Sequence, residues 1–425
     1  MGHYTIPIGE RTEAFSARNV LGVVQPRQTS GVSDVHGALL RAAQDPIGSE
    51  SLQKIAAGKS SAAIVVNDIT RPYPGKEMVA VLAQLLNEAG IPDSGIKLIM
   101  AYGHHRDNTR EELRGMFGAE LLGRFEIVHH HAGDPNSLEF MGVTSMGIPV
   151  EVNKVFARSE VKITTGCITP HQLAGFSGGR KSILPGISGM NALKKHHSFP
   201  IRPDRTSLGW LEGNPFHHQA VEAARIAGVD FILNSIDNAH REVVSCVAGD
   251  LEAAYAQGVA LCRRVWAADV PEKADIVVVS PGGYPRDFDL HQSQKALGCA
   301  EMLCRPGGTI ILCAEMRDGA GRPGAVLEAA DSPESVIAEF RKTGYTPQAL
   351  SKAYMLARAL RSFHVCVAGS MVPAGKLEAM FFTAYKNVDD AVRAAVEEQG
   401  ENASVLIVPY ASDILPTILS RQCSE

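Results

Sequence analysis

Little in this 425-residue chain is one-sided. No stretch approaches the roughly 20 consecutive apolar residues that a membrane-spanning helix needs. The start, Met1-Gly2-His3-Tyr4-Thr5-Ile6, lacks the charged-then-apolar pattern of a secretory signal. Positive charge is not in excess either. Lys and Arg number 41 against 46 Asp and Glu, a formal net charge of -5 without runs of one sign. The phosphate-neutralising face of a nucleic-acid binder is therefore missing. Cys167, Cys246, Cys262, Cys299, Cys304, Cys313, Cys366 and Cys423 are scattered and form no CxxC. They read as small apolar side chains in a reducing cytoplasm, not as a disulfide lattice. The expectation is a cytoplasmic protein with neither nucleic-acid nor membrane partners. What is abundant is glycine, 40 residues, and histidine, 15, and several histidines adjoin glycine-rich turns.

Short apolar runs alternate with helical spacing along most of the length, which predicts an α/β protein. Ala62–Val66 reads as a buried strand ending in Asn67-Asp68, and Lys76–Glu88 as a helix with Met78, Val79, Val81, Leu82, Leu85 and Leu86 on one side. A second strand, Ile96–Tyr102, closes on Gly103, and Thr109-Arg110-Glu111-Glu112 forms a capping box that opens the next helix. Val161–Thr165 reads as a strand, and Asn214–Ala227 and Leu251–Ala268 as helices. A second βα series begins near Pro271 with Asp275–Ser280, Thr309–Cys313, Val365–Ala368 and Val405–Val408 as strands. The expected division is an N-terminal α/β domain over 1–268 and a C-terminal one over 272–404. The tail, 405–425, is placed back on the first domain.

Ligands of open parallel sheets bind beyond the carboxyl ends of the strands, and four segments put reactive side chains there. Asn67-Asp68-Ile69-Thr70-Arg71-Pro72 is composed like an ordinary turn. Gly103-His104-His105-Arg106 follows a strand directly, and Lys195-His196-His197-Ser198 carries a second His pair. The most specific runs from Pro170-His171-Gln172-Leu173-Ala174-Gly175-Phe176-Ser177-Gly178-Gly179-Arg180-Lys181-Ser182 to Pro185-Gly186. It fails the P-loop spacing because Arg180 intervenes between Gly179 and Lys181. Its glycines still allow backbone N–H groups to approach an anion. His129-His130-His131 and His217-His218 read as structural, and no His/Cys spacing matches a zinc signature.

Taken together, Asp68-Ile69-Thr70-Arg71-Pro72, Gly103-His104-His105-Arg106, the block from Pro170 to Gly186, His197-Ser198 and Gln292-Ser293-Gln294-Lys295 resemble the nickel-pincer lactate racemase family of 2-hydroxyacid racemases and epimerases. The resemblance implies two Rossmann-like α/β domains with the active site in the cleft between them. It implies a nickel-pincer nucleotide tethered to Lys181 as a thioamide, installed by cofactor-maturation enzymes, with His197 as the protein's nickel ligand. By the same resemblance His105 and His171 are the acid/base pair, and Arg71, Gln292 and Lys295 bind the substrate. Asp68, Gly178 and Gly179 support the cofactor and its surroundings. His291 stands where many relatives place a Tyr and Leu173 where lactate-type relatives are aromatic, while His104 and Tyr73 add polar groups beside the catalytic candidates. The expected substrate is lactate, malate, another 2-hydroxyacid or a sugar acid, the extra polar groups favouring a longer or more oxygenated one.

The chemistry suits these residue types. The Cα–H of a 2-hydroxycarboxylate is a poor acid beside an existing anion, so its removal as hydride needs an electrophile that no side chain supplies. The hydroxyl proton suits a histidine, and inversion needs such a group for either hand of substrate. Two other readings are a nucleotide- or anion-binding protein without redox chemistry and a zinc hydrolase using His105, His171 and His197.

Overall fold

The computed structural model describes residues 1–199, 204–346 and 350–419. The chain divides into two compact units, one of residues 29–199 and 209–265, the other of residues 1–28, 200–208 and 266–425. Each is α/β.

The first unit is built on a six-stranded sheet in the order Val243–Gly249, Phe231–Asp237, Val161–Cys167, Ala62–Asn67, Ile96–Ala101, Glu126–His129. All neighbours are parallel except Val243–Gly249, which runs antiparallel to Phe231–Asp237. The central strands are continuous apolar runs because helices cover both faces. In Ala62–Asn67 every residue before Asn67 is buried. The helix Gly75–Glu88 turns the expected Met78, Val79, Val81, Leu82, Leu85 and Leu86 into this core. Arg110–Arg124 starts at the capping box, in which Thr109 and Glu112 satisfy each other's backbone N–H groups. Asn214 caps Pro215–Ile226. The chain enters at Ala62–Asn67, builds outward through two strands, and returns to the other side at Val161–Cys167. The reversal between these two central strands is the topological switch point, where open α/β sheets leave a crevice at the strand carboxyl ends.

The second unit carries an all-parallel six-stranded sheet in the order Thr383–Tyr385, His364–Ala368, Cys304–Cys313, Ala274–Val279, Val405–Val408, Val20–Val23. Two features depart from the expected division. Residues 1–28 belong here: the hairpin Gly2–Ile8/Arg11–Ala17 buries Ile6, Ile8, Phe15 and Ala17 in the core of this sheet, and Val20–Val23 is its edge strand. Val405–Val408 is not a returning tail but an inner strand between Ala274–Val279 and Val20–Val23. The expected helix Leu251–Ala268 runs over Ala253–Trp266, and Ala267–Val270 leaves it as a strand paired with Leu415–Ile418. Residues 420–425 of the tail lie outside the described residues. Among the described residues the cysteines are free, most of them buried, and no helix is long and apolar enough to cross a membrane.

Candidate active site

The loops that follow the switch-point strands carry most of the candidate side chains. Beyond Asn67 the chain turns at once, Arg71 N–H donating to Asp68 O at 3.1 Å. Asp68 is buried and its Oδ1 accepts from the Thr70 N–H at 3.0 Å and from the Thr70 hydroxyl at 2.6 Å. Its Oδ2 lies 2.7 Å from Nδ1 of His105, which stands on the tight turn after the neighbouring strand. Burial alone would raise the Asp68 carboxyl. Hydrogen bonds from His105 and Thr70, with the charges of His105 and Arg71, outweigh it and hold the group below its ordinary value. A carboxylate only accepts, so His105 carries a proton on Nδ1, and whenever the ring is neutral its lone pair is on Nε2, the arrangement of an oriented general base.

The strand Val161–Cys167 feeds the glycine-rich block. Pro170–His171 pairs antiparallel with Gly175–Phe176, a two-rung hairpin that holds the His171 ring over its own turn. Nδ1 of His171 accepts from the backbone N–H groups of Leu173 at 3.1 Å and Ala174 at 3.2 Å. Nε2 lies 2.9 Å from Nζ of Lys181. The two imidazoles are thus gripped at Nδ1 in opposite senses: His105 donates there and His171 accepts. One neutral ring presents a lone pair at Nε2 and the other an N–H.

Two residues that sequence reasoning passed over hold this block in place. Arg180, noted only for breaking the P-loop spacing, is fully buried. Its Nη1 donates to the carbonyls of Phe176, Ser177 and Gly178 at 3.0, 3.3 and 3.2 Å, its Nη2 to Ala174 O at 2.9 Å, and its plane lies 4.2 Å over the Tyr255 ring. Asn234, from the strand beside Val161–Cys167, accepts the Gly179 N–H at 3.0 Å. The glycines therefore have an internal reason. Gly178 has φ 77 and ψ 178, a conformation essentially closed to other residues, and a Cβ there would sit 2.7 Å from Asn234 Oδ1. The Gly179 N–H, expected to face an anion, is engaged by Asn234. Lys181 follows in the turn Gly179–Ser182, anchored by the Ser182 hydroxyl on Thr165 O at 2.9 Å.

Tyr73 ties the two switch-point strands together. Its hydroxyl accepts from Asn67 N–H at 3.1 Å, and since the Thr165 hydroxyl donates to Val65 O at 2.8 Å, the Tyr73 O–H donates to Thr165 Oγ1 at 3.3 Å. Burial pushes its phenol up to about 12, so it stays neutral. No spacing signal could have found this contact or the Arg180 clamp, because both depend on tertiary packing.

His197 ends the helix Met190–His197. Its Nδ1 donates to Leu193 O at 3.0 Å, which puts the proton of the neutral ring on Nδ1 and its lone pair on Nε2. Its neighbour His196 is the structural member of the pair, buried against Phe216 with its Nε2–H on Phe216 O at 2.9 Å, and held neutral by that burial. The helix meets one of the other loops, Leu193 lying beside Gly103, whose N–H donates to Gly186 O at 2.8 Å.

The remaining histidine clusters take structural roles. His130 is buried on Ser188 O and pushed down to about 4 by burial; His129 stacks on Tyr102. His217 stacks on Tyr255 and is pushed down to about 3 by burial. Among the described residues no three His, Cys, Asp or Glu side chains form a metal-holding group. Arg71 is exposed, its guanidinium on Thr70. In the second unit Asp289 caps the short helix Leu290–Ser293, and Gln292 is in hydrogen-bond contact with Lys295 Nζ, which opens the next helix. Half-buried His291 beside them is pushed down to about 4 by burial and by the charges of Lys352 and Lys295.

Residues 9–209 match the lactate racemase N-terminal domain family and residues 270–415 its C-terminal domain family. The chain is 30% identical over 424 residues to a lactate racemase of Thermoanaerobacterium thermosaccharolyticum, covering 98% of this chain and 99% of that protein. It is 33% identical over 371 residues to one of Lactiplantibacillus plantarum, covering 86% and 87%. Its fold matches the solved lactate racemase apoprotein of T. thermosaccharolyticum at a TM-score of 0.88 and 29% identity, covering 98% of this chain and all of that one. A Thermotoga maritima structure, at 17% identity and a TM-score of 0.64, shares the fold. The chain belongs to the lactate racemase family and is an isomerase of the racemase class.

Proposed function

We propose that the protein inverts C2 of a 2-hydroxycarboxylate by hydride transfer, using a nickel-pincer nucleotide tethered to Lys181. One observation supports this above the others: the opposite gripping of His105 and His171, which gives one ring a lone pair and the other an N–H at Nε2. A proton relay working on either hand of substrate starts from that pair of states. The donor set fits the cofactor, with an amine at Lys181 to tether it and an imidazole at His197 whose Nδ1 is already occupied. Imidazole and soft sulfur suit nickel.

Bound, the cofactor supplies an electrophilic acceptor for hydride, which no side chain offers. The chain's residues do the rest. His105 Nε2 takes the hydroxyl proton of one enantiomer, and Asp68 steadies the imidazolium that forms. The planar 2-ketoacid turns, and His171 serves the opposite face. Arg71 and Lys295 hold the carboxylate, the first through a planar fork and the second as a point charge, with Gln292 on a substrate oxygen.

The hydrolase reading would need three histidines converging on zinc, whereas no three His, Cys, Asp or Glu side chains among the described residues form a metal-holding group, and His171 Nε2 faces the Lys181 amine. A binding module needs no oppositely poised imidazoles. The relatives are named for lactate; the half-buried neutral ring of His291 beside Gln292 favours a longer or more oxygenated acid. The test is co-production with the cofactor-maturation enzymes, followed by intact mass and metal analysis and a screen over lactate, malate, phenyllactate and aldonic acids by optical rotation. A mass gain on Lys181 with bound nickel and inversion of one of these acids is expected. Unmodified Lys181 without nickel under those conditions would defeat the proposal.

A further inference from the structure

We propose that His171 has an earlier task than acid/base work: it holds the Lys181 amine in its neutral, acyl-accepting form so that the chain can be tethered there. The argument rests on hydrogen-bond roles. A backbone N–H can only donate, so the contacts from Leu173 and Ala174 require a lone pair on Nδ1 of His171. The proton of the neutral ring is then on Nε2, directed at Lys181 Nζ 2.9 Å away. An N–H facing an ammonium would set two donors against each other. Moving the ring proton to Nδ1 would instead drive it against two backbone N–H groups. A neutral amine, accepting from Nε2–H, satisfies these three contacts together.

The surroundings favour the same state. The fully buried Arg180 guanidinium precedes Lys181 in the same turn, and the imidazole of His196, on the helix Met190–His197, is kept neutral by its burial. His197 ends that helix. A second cation placed beside Arg180 is disfavoured, while a neutral amine is not. The tight turn Gly179–Ser182, with Gly178 in a conformation only glycine adopts, keeps Lys181 Nζ facing the ring.

The consequence is chemical. In acylation the Nζ lone pair forms the new N–C bond to an activated acyl carbon. The bond from that carbon to its leaving group breaks, the electron pair departs with that group, and one nitrogen proton passes to the leaving group or to water. Only the neutral amine begins this, and an ordinary lysine is about 0.1% neutral at pH 7.4. Once Lys181 is acylated its nitrogen no longer accepts, and the His171 Nε2–H is released to face substrate. The same ring thus serves tethering first and turnover afterwards.

This extends the reading of Lys181 as the tethering lysine, and its test is independent of cofactor. The apoprotein is treated with limiting acetic anhydride at pH 7.4 and the sites of acetylation are ranked by peptide mass spectrometry. Lys181 is expected to react on the order of tenfold or more faster than exposed Lys194 and Lys342. His171→Phe, which cannot donate, is expected to erase that preference, and His171→Gln, which can, to retain part of it. Far-UV circular dichroism of each variant checks its fold. Nitrogen-15 NMR of wild-type His171 needs no variant and is expected to show a neutral ring with its proton on Nε2. Acetylation of Lys181 no faster than the surface lysines, or a His171 ring protonated at Nδ1, overturns the proposal. If instead Lys181 is hyper-reactive but gains no mass on maturation, the activation stands and the tethering reading fails.

Discussion

Replacing Arg180 by methionine removes a buried cation that forms no ion pair among the described residues, yet the loss should destabilise the first unit. Nη1 has two protons for three carbonyls and Nη2 gives one to Ala174 O, so three guanidinium protons are engaged. At about 1.5–3 kcal/mol for each charged hydrogen bond, these contribute roughly 4–9 kcal/mol. Stacking on Tyr255 adds about 2 kcal/mol. Against this stands the cost of burying the charge, several kcal/mol, and burial indeed lowers the guanidinium's pKa. The balance is about 3 kcal/mol, which in a unit of this size is roughly 6–12 °C of melting temperature. Thermal unfolding followed by circular dichroism measures it. Arg180→Lys, with three donors on a point charge instead of a planar fork, should lie between wild type and Arg180→Met. Arg180→Met melting within about 2 °C of wild type would refute the clamp.

Other outcomes follow from the same geometry. Replacing His105 or His171 by alanine should lower kcat by roughly 10²–10⁴ in matured enzyme; a near-wild-type rate in either would remove that ring from the proton relay. Asp68→Asn exchanges a charged hydrogen bond for a neutral one, and with His105 partly exposed the loss should be about 1.5–2 kcal/mol, or about 10–30-fold in kcat/KM. The Asp68 carboxyl is held low, so its stabilising effect is complete above its ordinary value near ~3.9 and is lost only as pH falls through the depressed one. The stability gap between wild type and Asp68→Asn, measured by denaturant titration, should therefore persist down to about pH 4.5 and close only below about 4. Gly178→Ala should cost about 1–3 kcal/mol by the same titration, because φ 77 and ψ 178 suit only glycine and Asn234 Oδ1 already occupies the space.

The inner strands of both sheets such as Ala62–Asn67 and Ala274–Val279 were legible because buried parallel strands are uninterrupted apolar runs, whereas Phe231–Asp237, Val243–Gly249, Thr383–Tyr385 and Val20–Val23 were not read as strands. The helix starts at Thr109 and Asn214 were legible from capping chemistry. What sequence reading misplaced was non-local pairing. Residues 1–28 join a sheet whose neighbouring strand lies some 380 positions on, at Val405–Val408, and nothing in the local pattern of Val20–Val23 encodes that partner. The candidate site was visible as motifs at strand ends, and Asp68 with His105, like His171 with Lys181, do come into contact. The residues that hold them were not visible. Arg180 looked like an interruption of a phosphate loop, Tyr73 like an added polar group, and Asn234 lay in no segment read as a strand. Their roles arise only when separate loops pack together.

The central claim is that the hydrogen on C2 travels as hydride and never reaches water, while only the hydroxyl proton passes through imidazole. Matured enzyme given one enantiomer of a 2-hydroxyacid deuterated at C2, in ordinary water, tests this directly when the opposite enantiomer is isolated and its isotope content measured. Product that keeps its deuterium is the expected result. Product that has exchanged it for solvent hydrogen would mean deprotonation at carbon and would contradict the account.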